Sequence, residues 1–280
     1  KNWQVHVGES ISAPVDRNDF SFTWQGKKTV FDYAYIIIHG TPGENGVFEG
    51  YLRLMRIPFS TCDVLPSALT FNKFVLNKTM KSCKVNVADS RRLRKGDKID
   101  PDKIISKVGL PCFIKPTDGG SSFGTTKVKT REQIIPAVEE AFKENSEIMI
   151  ESFMQGIEVT NGYYKTRKHE VKLPVTEVVP KTDFFDYDAK YNGKVEEITP
   201  ARIPDELRDR IQDLTAKIYD LLGCHGIIRN DYIITDGDKI NLLEVNTTPG
   251  MTATSFIPQQ IRAAGLNLTD VLTEIIEDSF

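Results

Sequence analysis

Two strand-like runs, Ile227 to Ile234 and Ile240 to Val245, flank Thr235-Asp236-Gly237-Asp238-Lys239 and read as a hairpin. Side chains alternate along a strand, so Arg229 and Asp231 share one face, and Glu244 and Asn246 share one. With Gly237-Asp238 as a two-residue turn, Asp231 stands opposite Glu244 and Arg229 opposite Asn246. A shift by two residues keeps all four together; a three-residue loop does not. Two carboxylates and an amide oxygen on one surface are hard donors suited to Mg²⁺ carrying bound phosphates. The competing reading is a solvated sheet face. The Pro249-Gly250 turn, directly after Asn246, brings backbone N–H groups toward the acidic face and favours a site.

Three further stretches hold reactive types. Lys115-Pro116 precedes Asp118-Gly119-Gly120-Ser121-Ser122-Phe123-Gly124. Glycines let backbone approach a phosphate, and a lysine on the preceding strand can reach phosphate oxygens. The spacing is not that of a P-loop, and a Gly-Ser loop is often only a hairpin tip. His39 opens HGTPGENG after an apolar run, where open α/β sheets bind ligands, although a lone His is more often structural. The stretch FFDYDAKY is either an active-site cover or a surface loop.

These groups need elements to hold them. Phe31 to Ile38 reads as a buried parallel strand, followed by a short helical pattern from Val47 to Met55 and a strand at Ile57-Pro58-Phe59. Ser67 to Ser82 reads as one helix, Arg91 to Lys98 as loop or edge, Pro101 to Val108 as a short helix and Pro111 to Lys115 as a strand. Arg131 to Asn145 is helical, with Ile134, Ile135, Val138, Ala141 and Phe142 on one face. Glu147 to Glu151 is a strand. Glu158 to Tyr164, Glu170 to Leu173 and Val175 to Val179 follow as antiparallel strands, and Lys181 to Ile198 as a loop. Asp205 to Leu222 is the clearest helix, with Pro204 at its start, Gly223 at its stop and Leu207, Ile211, Leu214, Ile218 and Leu221 along one side.

Composition narrows the class. The 280 residues are 40% hydrophobic and 27% charged, ordinary for a globular enzyme of two or three domains. A net charge of -3 offers no basic balance for nucleic acid or anionic membrane. No apolar run approaches the roughly 20 residues that span a bilayer. Cys62, Cys83, Cys112 and Cys224 form no CxxC pair and read as reduced thiols of a cytosolic protein.

In this order, HGTPGENG, KPTDGGSSFG, IESFMQGIE, DYDAKY, RNDYII and LLEVNTTPGMTATSFIP resemble the D-alanine–D-alanine ligase family of the ATP-grasp superfamily, from about Phe31 to the C-terminus. The resemblance implies an α/β fold, α+β in the ATP-grasp part, with three domains: an N-terminal parallel-sheet domain over 1–63, a central ATP-grasp subdomain over 64–151 and a C-terminal catalytic domain over 152–280. It implies a cytoplasmic enzyme of peptidoglycan synthesis, commonly dimeric, that uses ATP with a pair of Mg²⁺ or Mn²⁺ ions to join two D-alanines through a D-alanyl phosphate. By resemblance Lys73 and Lys115 meet the nucleotide phosphates, Ser122 and Gly124 belong to the loop covering them, Glu151 and Met154 meet adenine, and Glu158 meets the ribose. Asp231, Glu244 and Asn246 match the metal ligands, in agreement with the hairpin reading. Arg229 and the backbone of Gly250 stabilise a developing oxyanion. His39 lies by the first D-alanine, Lys190 and Tyr191 sit on a closing loop, Ser121 bonds with Tyr191, and Ser255 and Phe256 hold the second carboxylate.

The family usually opens with a strand and a GGxSxE-like loop whose Glu binds the first ammonium. That Glu does not occur here, and the expectation is that Lys1 lies inside a longer protein whose opening segment supplies it. Phe185, Phe256 and Asn45 stand where the family commonly has Tyr, Leu and Asp. The rival readings are a ligase taking D-lactate or D-serine second, and a nucleotide-binding module without ligase activity. The Lys-Tyr pair favours the dipeptide, and the intact Lys73, Lys115, Arg229, Asp231, Glu244 and Asn246 favour an enzyme.

Overall fold

A computed structural model describes residues 3–8, 11–119, 124–180 and 195–280. Among these residues the strands form three sheets, all paired antiparallel.

The first sheet is a meander of β1 (Gln4–Val7), β2 (Ile11–Asp16), β3 (Ser21–Trp24) and β4 (Lys27–Val30). The sequence reading assigned no strands here. Trp24 pairs with Lys27 across Gln25-Gly26, whose φ values of 48° and 77° give the turn twist that suits a two-residue hairpin. Trp3 and Phe20 pack edge-on against Phe48 and Tyr51 of α1 (Val47–Met55), with ring centroids 5.2 to 6.2 Å apart. That contact fixes the helix that follows HGTPGENG.

The parallel strand expected over Phe31 to Ile38 reduces to one bridge, Ala34 to Phe59. Ala34 donates to Pro58 O and Ser60 N donates to Ala34 O, but the next N–H in register, Ile36, goes to the Ser60 hydroxyl at 2.9 Å. A side chain thus takes the donor that would have extended the ladder. The helix expected over Ser67 to Ser82 is two helices, α2 (Val64–Phe71) and α3 (Lys73–Ser82). Asn72 breaks them with an extended backbone and caps α3 by accepting from Val75 N.

The second sheet has the order β5-β8-β6-β7, from β5 (Ser90–Arg94), β6 (Cys112–Pro116), β7 (Thr126–Val128) and β8 (Glu147–Ser152). Helices α4 (Pro101–Val108) and α5 (Ile134–Glu144) cover one face, burying Ile104, Ile114, Val138, Ile148 and Ile150. Asp100 caps α4 and Pro101 opens it, as the sequence requires. Ile114 points into this core, so its neighbours Phe113 and Lys115 point the other way.

The third sheet has the order β11-β10-β9-β12-β13, from β9 (Ile157–Lys165), β10 (Glu170–Pro180), β11 (Val195–Ile198), β12 (Ile227–Thr235) and β13 (Lys239–Asn246). The two strands expected over 170–179 are one strand with an irregularity between Lys172 and Val175. On one face, Val159, Tyr163, Ile228 and Tyr232 pack against α6 (Asp205–Leu222) and against Leu76 and Met80 of α3. On the other, Tyr164, Leu173 and Ile227 pack against α7 (Phe256–Ala263) and α8 (Leu268–Glu277). The apolar stripe of α6 runs through Leu207, Ile211, Ile218 and Leu222. The expected Leu221 is 46% exposed, one residue off the stripe, and Ile135 of α5 is similarly exposed.

Candidate active site

The hairpin reaches its predicted pairing by an unpredicted route. Asp231 pairs with Glu244 and Arg229 with Asn246, but Thr235 pairs with Lys239, so the turn is Asp236-Gly237-Asp238. A three-residue turn alone would place Leu243 opposite Asp231. A one-residue bulge, where the register shifts between Asp231 and Tyr232, restores the pairing and leaves Leu243 as the extra residue. Both Leu243 and Glu244 line the cleft. The bulge therefore sets an apolar side chain beside a carboxylate on one surface.

Hydrogen bonds hold the acidic face together. Arg229 grips Asp231 with two parallel bonds, Nε to Oδ1 at 2.9 Å and Nη2 to Oδ2 at 2.8 Å, and lies 3.8 Å from Glu244 Oε1. Thr160 Oγ1 donates to Asp231 Oδ1 at 2.6 Å, and Asn246 Nδ2 donates to Asp231 Oδ2 at 3.2 Å and to Glu244 Oε1 at 3.5 Å. Burial works against the Arg229 charge, but Asp231, Glu244 and Glu44 outweigh it and raise its pKa. The guanidinium carbon also sits 5.3 Å from the centre of the Phe256 ring.

Among the described residues no group of three or more His, Cys, Asp or Glu side chains gathers into a metal cluster. Two carboxylates and an amide, which carries an oxygen acceptor as well as the Nδ2 donor, are instead the donor set of a hard cation whose remaining ligands are waters and substrate phosphates. The residues present fit Mg²⁺ on that ground.

Asp231, Glu244 and Asn246 line a cleft of about 720 Å³ between the second and third sheets, and Lys73, Lys115, Glu151, Met154 and Glu158 line it as well. Lys115 Nζ donates to Glu151 Oε1 at 2.5 Å, across neighbouring strands β6 and β8. Lys73 stands at the start of α3, where its N–H donates to Thr117 O, and its ammonium donates to Gly119 O. Burial lowers the Lys73 pKa, Glu244 raises it and Lys115 lowers it, so these three charges share one field. Gly124 lies outside the lining, against Pro116.

The remaining expected residues distribute unevenly. His39 is largely exposed, with Nδ1 3.8 Å from Glu44 Oε1. Ser255 precedes α7 without capping it; its hydroxyl lies 2.8 Å from Thr252 Oγ1. Gly250 approaches it so closely that an added Cβ would stand 2.7 Å from Ser255 Oγ. Thr248 Oγ1 donates to Gly43 O, tying the loop after β13 to HGTPGENG. Ser121, Ser122, Lys190, Tyr191 and Phe185 lie outside the described residues.

The sequence reading passed over Glu44, which lines the cleft and accepts from Gly40 N at 2.5 Å. It stands inside HGTPGENG, and that placement was the available signal. Phe113, Lys127 and Phe153 also line the cleft and were passed over.

Comparison with known proteins fixes the family. A family model described as "D-ala D-ala ligase C-terminus" matches residues 79–277. A D-alanine–D-alanine ligase of Bacteroides fragilis strain YCH46 is 61% identical over 280 residues, all of this chain and 86% of the relative. The VanG D-Ala:D-Ser ligase of Enterococcus faecalis superposes with a TM-score of 0.86 at 31% identity, covering 97% of this chain and 81% of that one. A D-alanine–D-alanine ligase of Bacillus anthracis, solved in complex with ATP, superposes with a TM-score of 0.75 at 27% identity over 89% of this chain and 78% of that one. The chain belongs to the D-alanine–D-alanine ligase family, ATP-dependent ligases of the ATP-grasp superfamily.

Proposed function

We propose that this cleft binds ATP with Mg²⁺ or Mn²⁺ and joins two D-alanines into D-alanyl-D-alanine for peptidoglycan precursors, in the cytoplasm. The observation that carries the reading is the acidic face of Asp231, Glu244 and Asn246, with Arg229 beside it, in the same cleft as Lys73 and Lys115. The D-alanine–D-alanine ligase at 61% identity supports D-alanine in the second position over the D-serine of the more distant VanG enzyme.

The first D-alanine's carboxylate attacks the γ-phosphorus of ATP, and ADP leaves with the bond's electron pair. The amine of the second D-alanine attacks the acyl carbon of the resulting D-alanyl phosphate. The tetrahedral intermediate collapses and inorganic phosphate leaves. Lys73 and Lys115 neutralise the phosphate oxygens, and Asp231, Glu244 and Asn246 would hold the divalent cation. A cation held there would supply Lewis-acid charge to offset the negative charge developing on the phosphate. Arg229 and the Gly250 N–H stabilise the oxyanion of the tetrahedral intermediate. Glu151, Met154 and Glu158 meet the nucleoside; by the family resemblance alone, Ser122 and Gly124 belong to the loop covering the phosphates. His39 stands by the first substrate. Ser255 and the α7 start at Phe256 take the second carboxylate, where helix N–H groups favour an anion. Ser121, Lys190 and Tyr191 enter the proposal through the family resemblance alone.

The test is ADP release from ATP and Mg²⁺ with and without D-alanine, with products weighed by mass spectrometry. The expected result is D-alanine-dependent ADP and phosphate with D-alanyl-D-alanine. ADP release indifferent to D-alanine would overturn the reading. So would dominance of the D-serine or D-lactate product in an equimolar competition.

A further inference from the structure

The cleft has a second set of groups that the reading above does not use. On β6, Phe113 stands two residues before Lys115, on the same face and about 7 Å away along the strand. Across the ladder Phe113 pairs with Lys127 of β7 on one side and with Glu151 of β8 on the other. The Lys127 ammonium lies 3.5 Å from the centre of the Phe153 ring and 6.0 Å from that of Phe113. The two rings are themselves 5.8 Å apart, tilted at 59°. All three side chains line the cleft, half-buried, and Phe153 adjoins Met154. Lys73, Lys115, Asp231 and Glu244, which suit phosphates, line the same cleft. Phe113 and Phe153 add ring faces to a lining that also includes the apolar side chains of Met154, Ile157 and Leu243.

We infer that Lys127 is a positioning residue for the nucleobase, pinning the Phe153 ring by a cation–π contact so that it forms a fixed wall for a purine. The inference rests on the ATP reading and deepens it, adding Lys127 and Phe153 to the nucleoside contacts given to Glu151, Met154 and Glu158. The physical reason is preorganisation. A half-buried phenylalanine lining a cleft has ring freedom to lose when a base packs on it. A cation held over its other surface removes that freedom beforehand, and such a contact is worth enough to change affinity by about threefold to tenfold. The competing role for a lysine in this cleft is a further phosphate contact, and the two roles separate by ligand.

The experiment measures binding of ATP and of adenosine to the full chain by calorimetry, for the wild type, Lys127→Met and Lys127→Arg. Met keeps the apolar stem on an edge strand and removes the charge, so its melting temperature should match the wild type. The expected result is that Lys127→Met weakens ATP and adenosine by the same factor, about threefold to tenfold. Turnover at saturating ATP should change less than twofold, and Lys127→Arg, which retains a cation for the ring, should restore both affinities. Loss of affinity for ATP alone would mean a phosphate contact and overturn the inference. Unchanged affinity for both ligands, or an Arg variant as weak as the Met variant, would overturn it too. Because binding is read without turnover, a chain that binds ATP and adenosine as expected but makes no dipeptide contradicts the ligase reading and leaves Lys127 in its assigned place. A wild type that binds neither ligand overturns both.

Discussion

Arg229 and Asp231 constrain each other, which decides which residue is the clean probe of the acidic face. The Arg229 side chain is mostly buried and bonded twice to Asp231, so removing that carboxylate leaves an uncompensated charge in the interior. Glu244 is a third exposed and only 3.8 Å from Arg229 at its nearest. Glu244→Gln should therefore leave the melting temperature within about 2 °C of wild type while lowering turnover about 100-fold at limiting Mg²⁺. A wild-type rate at limiting Mg²⁺ would remove Glu244 from the metal site. A second residue-scale prediction concerns Glu49 on α1, which is fully buried. Burial pushes its pKa from 4.5 up to about 7, with the backbone N–H groups of Glu49 and Gly46 partly offsetting it and Glu44 adding repulsion. The native state thus holds this proton to higher pH than the unfolded chain does. Its contribution to stability is full below about 4.5, declines as pH rises, and is lost above about 7. Glu49→Gln should flatten that decline and be more stable than wild type at pH 8 by about 2 to 3 kcal/mol. Urea unfolding at pH 5 and pH 8 measures it, and parallel curves for the two proteins would exclude Glu49 as the titrating group. At this scale the motif residues Lys115 and Asn246 do line one cleft. The sequence was silent on Glu49, because a glutamate in an amphipathic helix looks solvated until tertiary contacts bury it.

The elements show where local pattern suffices and where it does not. Helix α4 and helix α6 were legible to the residue, because Asp100-Pro101 and Pro204 mark their starts and glycines their ends. The β12–β13 pairing was legible while its turn was not. Alternation and the buried face fix which residues must meet, and a bulge absorbs the extra turn residue. The strand expected at Phe31 to Ile38 failed for the converse reason, since a distant hydroxyl, Ser60, took a backbone donor that no local pattern could reserve. Contacts between elements also set the position of α7. Gln260 accepts from Gly162 N at 2.9 Å and donates to Thr160 O and Thr176 Oγ1, all on the sheet beneath. A Cβ at Gly162 would stand 2.5 Å from Ile257 Cδ1 and 2.6 Å from Gln260 Oε1. Gly162→Ala should lift α7 off the sheet, costing about 1 to 3 kcal/mol, and displace Ser255 and Phe256 at its start. The expected kinetic signature is a KM for the second D-alanine raised severalfold, with the KM for ATP changed less than twofold. Equal increases in both would mean that the helix does not position the second-substrate end alone.

At the scale of the whole molecule, two sheets with separate cores face each other across the cleft, and the loop HGTPGENG reaches it from the N-terminal part through Glu44 and Gly43. The second sheet gives one face to its helices and the other to the cleft, while the third sheet carries helices on both faces and lines the cleft with residues of β9, β10, β12 and β13. Composition alone indicated only a globular enzyme. The ordered motifs indicated the family, and the N-terminal meander was missed because its strands are four to six residues long and too short for a clear period. The account's central claim is that the first D-alanine is activated as an acyl phosphate in this cleft. D-Alanine labelled with ¹⁸O in both carboxylate oxygens tests it most directly, with ATP and Mg²⁺ in unlabelled water and the released phosphate analysed by mass. The account predicts one ¹⁸O in each inorganic phosphate, the other in the dipeptide's amide carbonyl, and none in ADP. Unlabelled phosphate, or AMP with pyrophosphate in place of ADP, would contradict it.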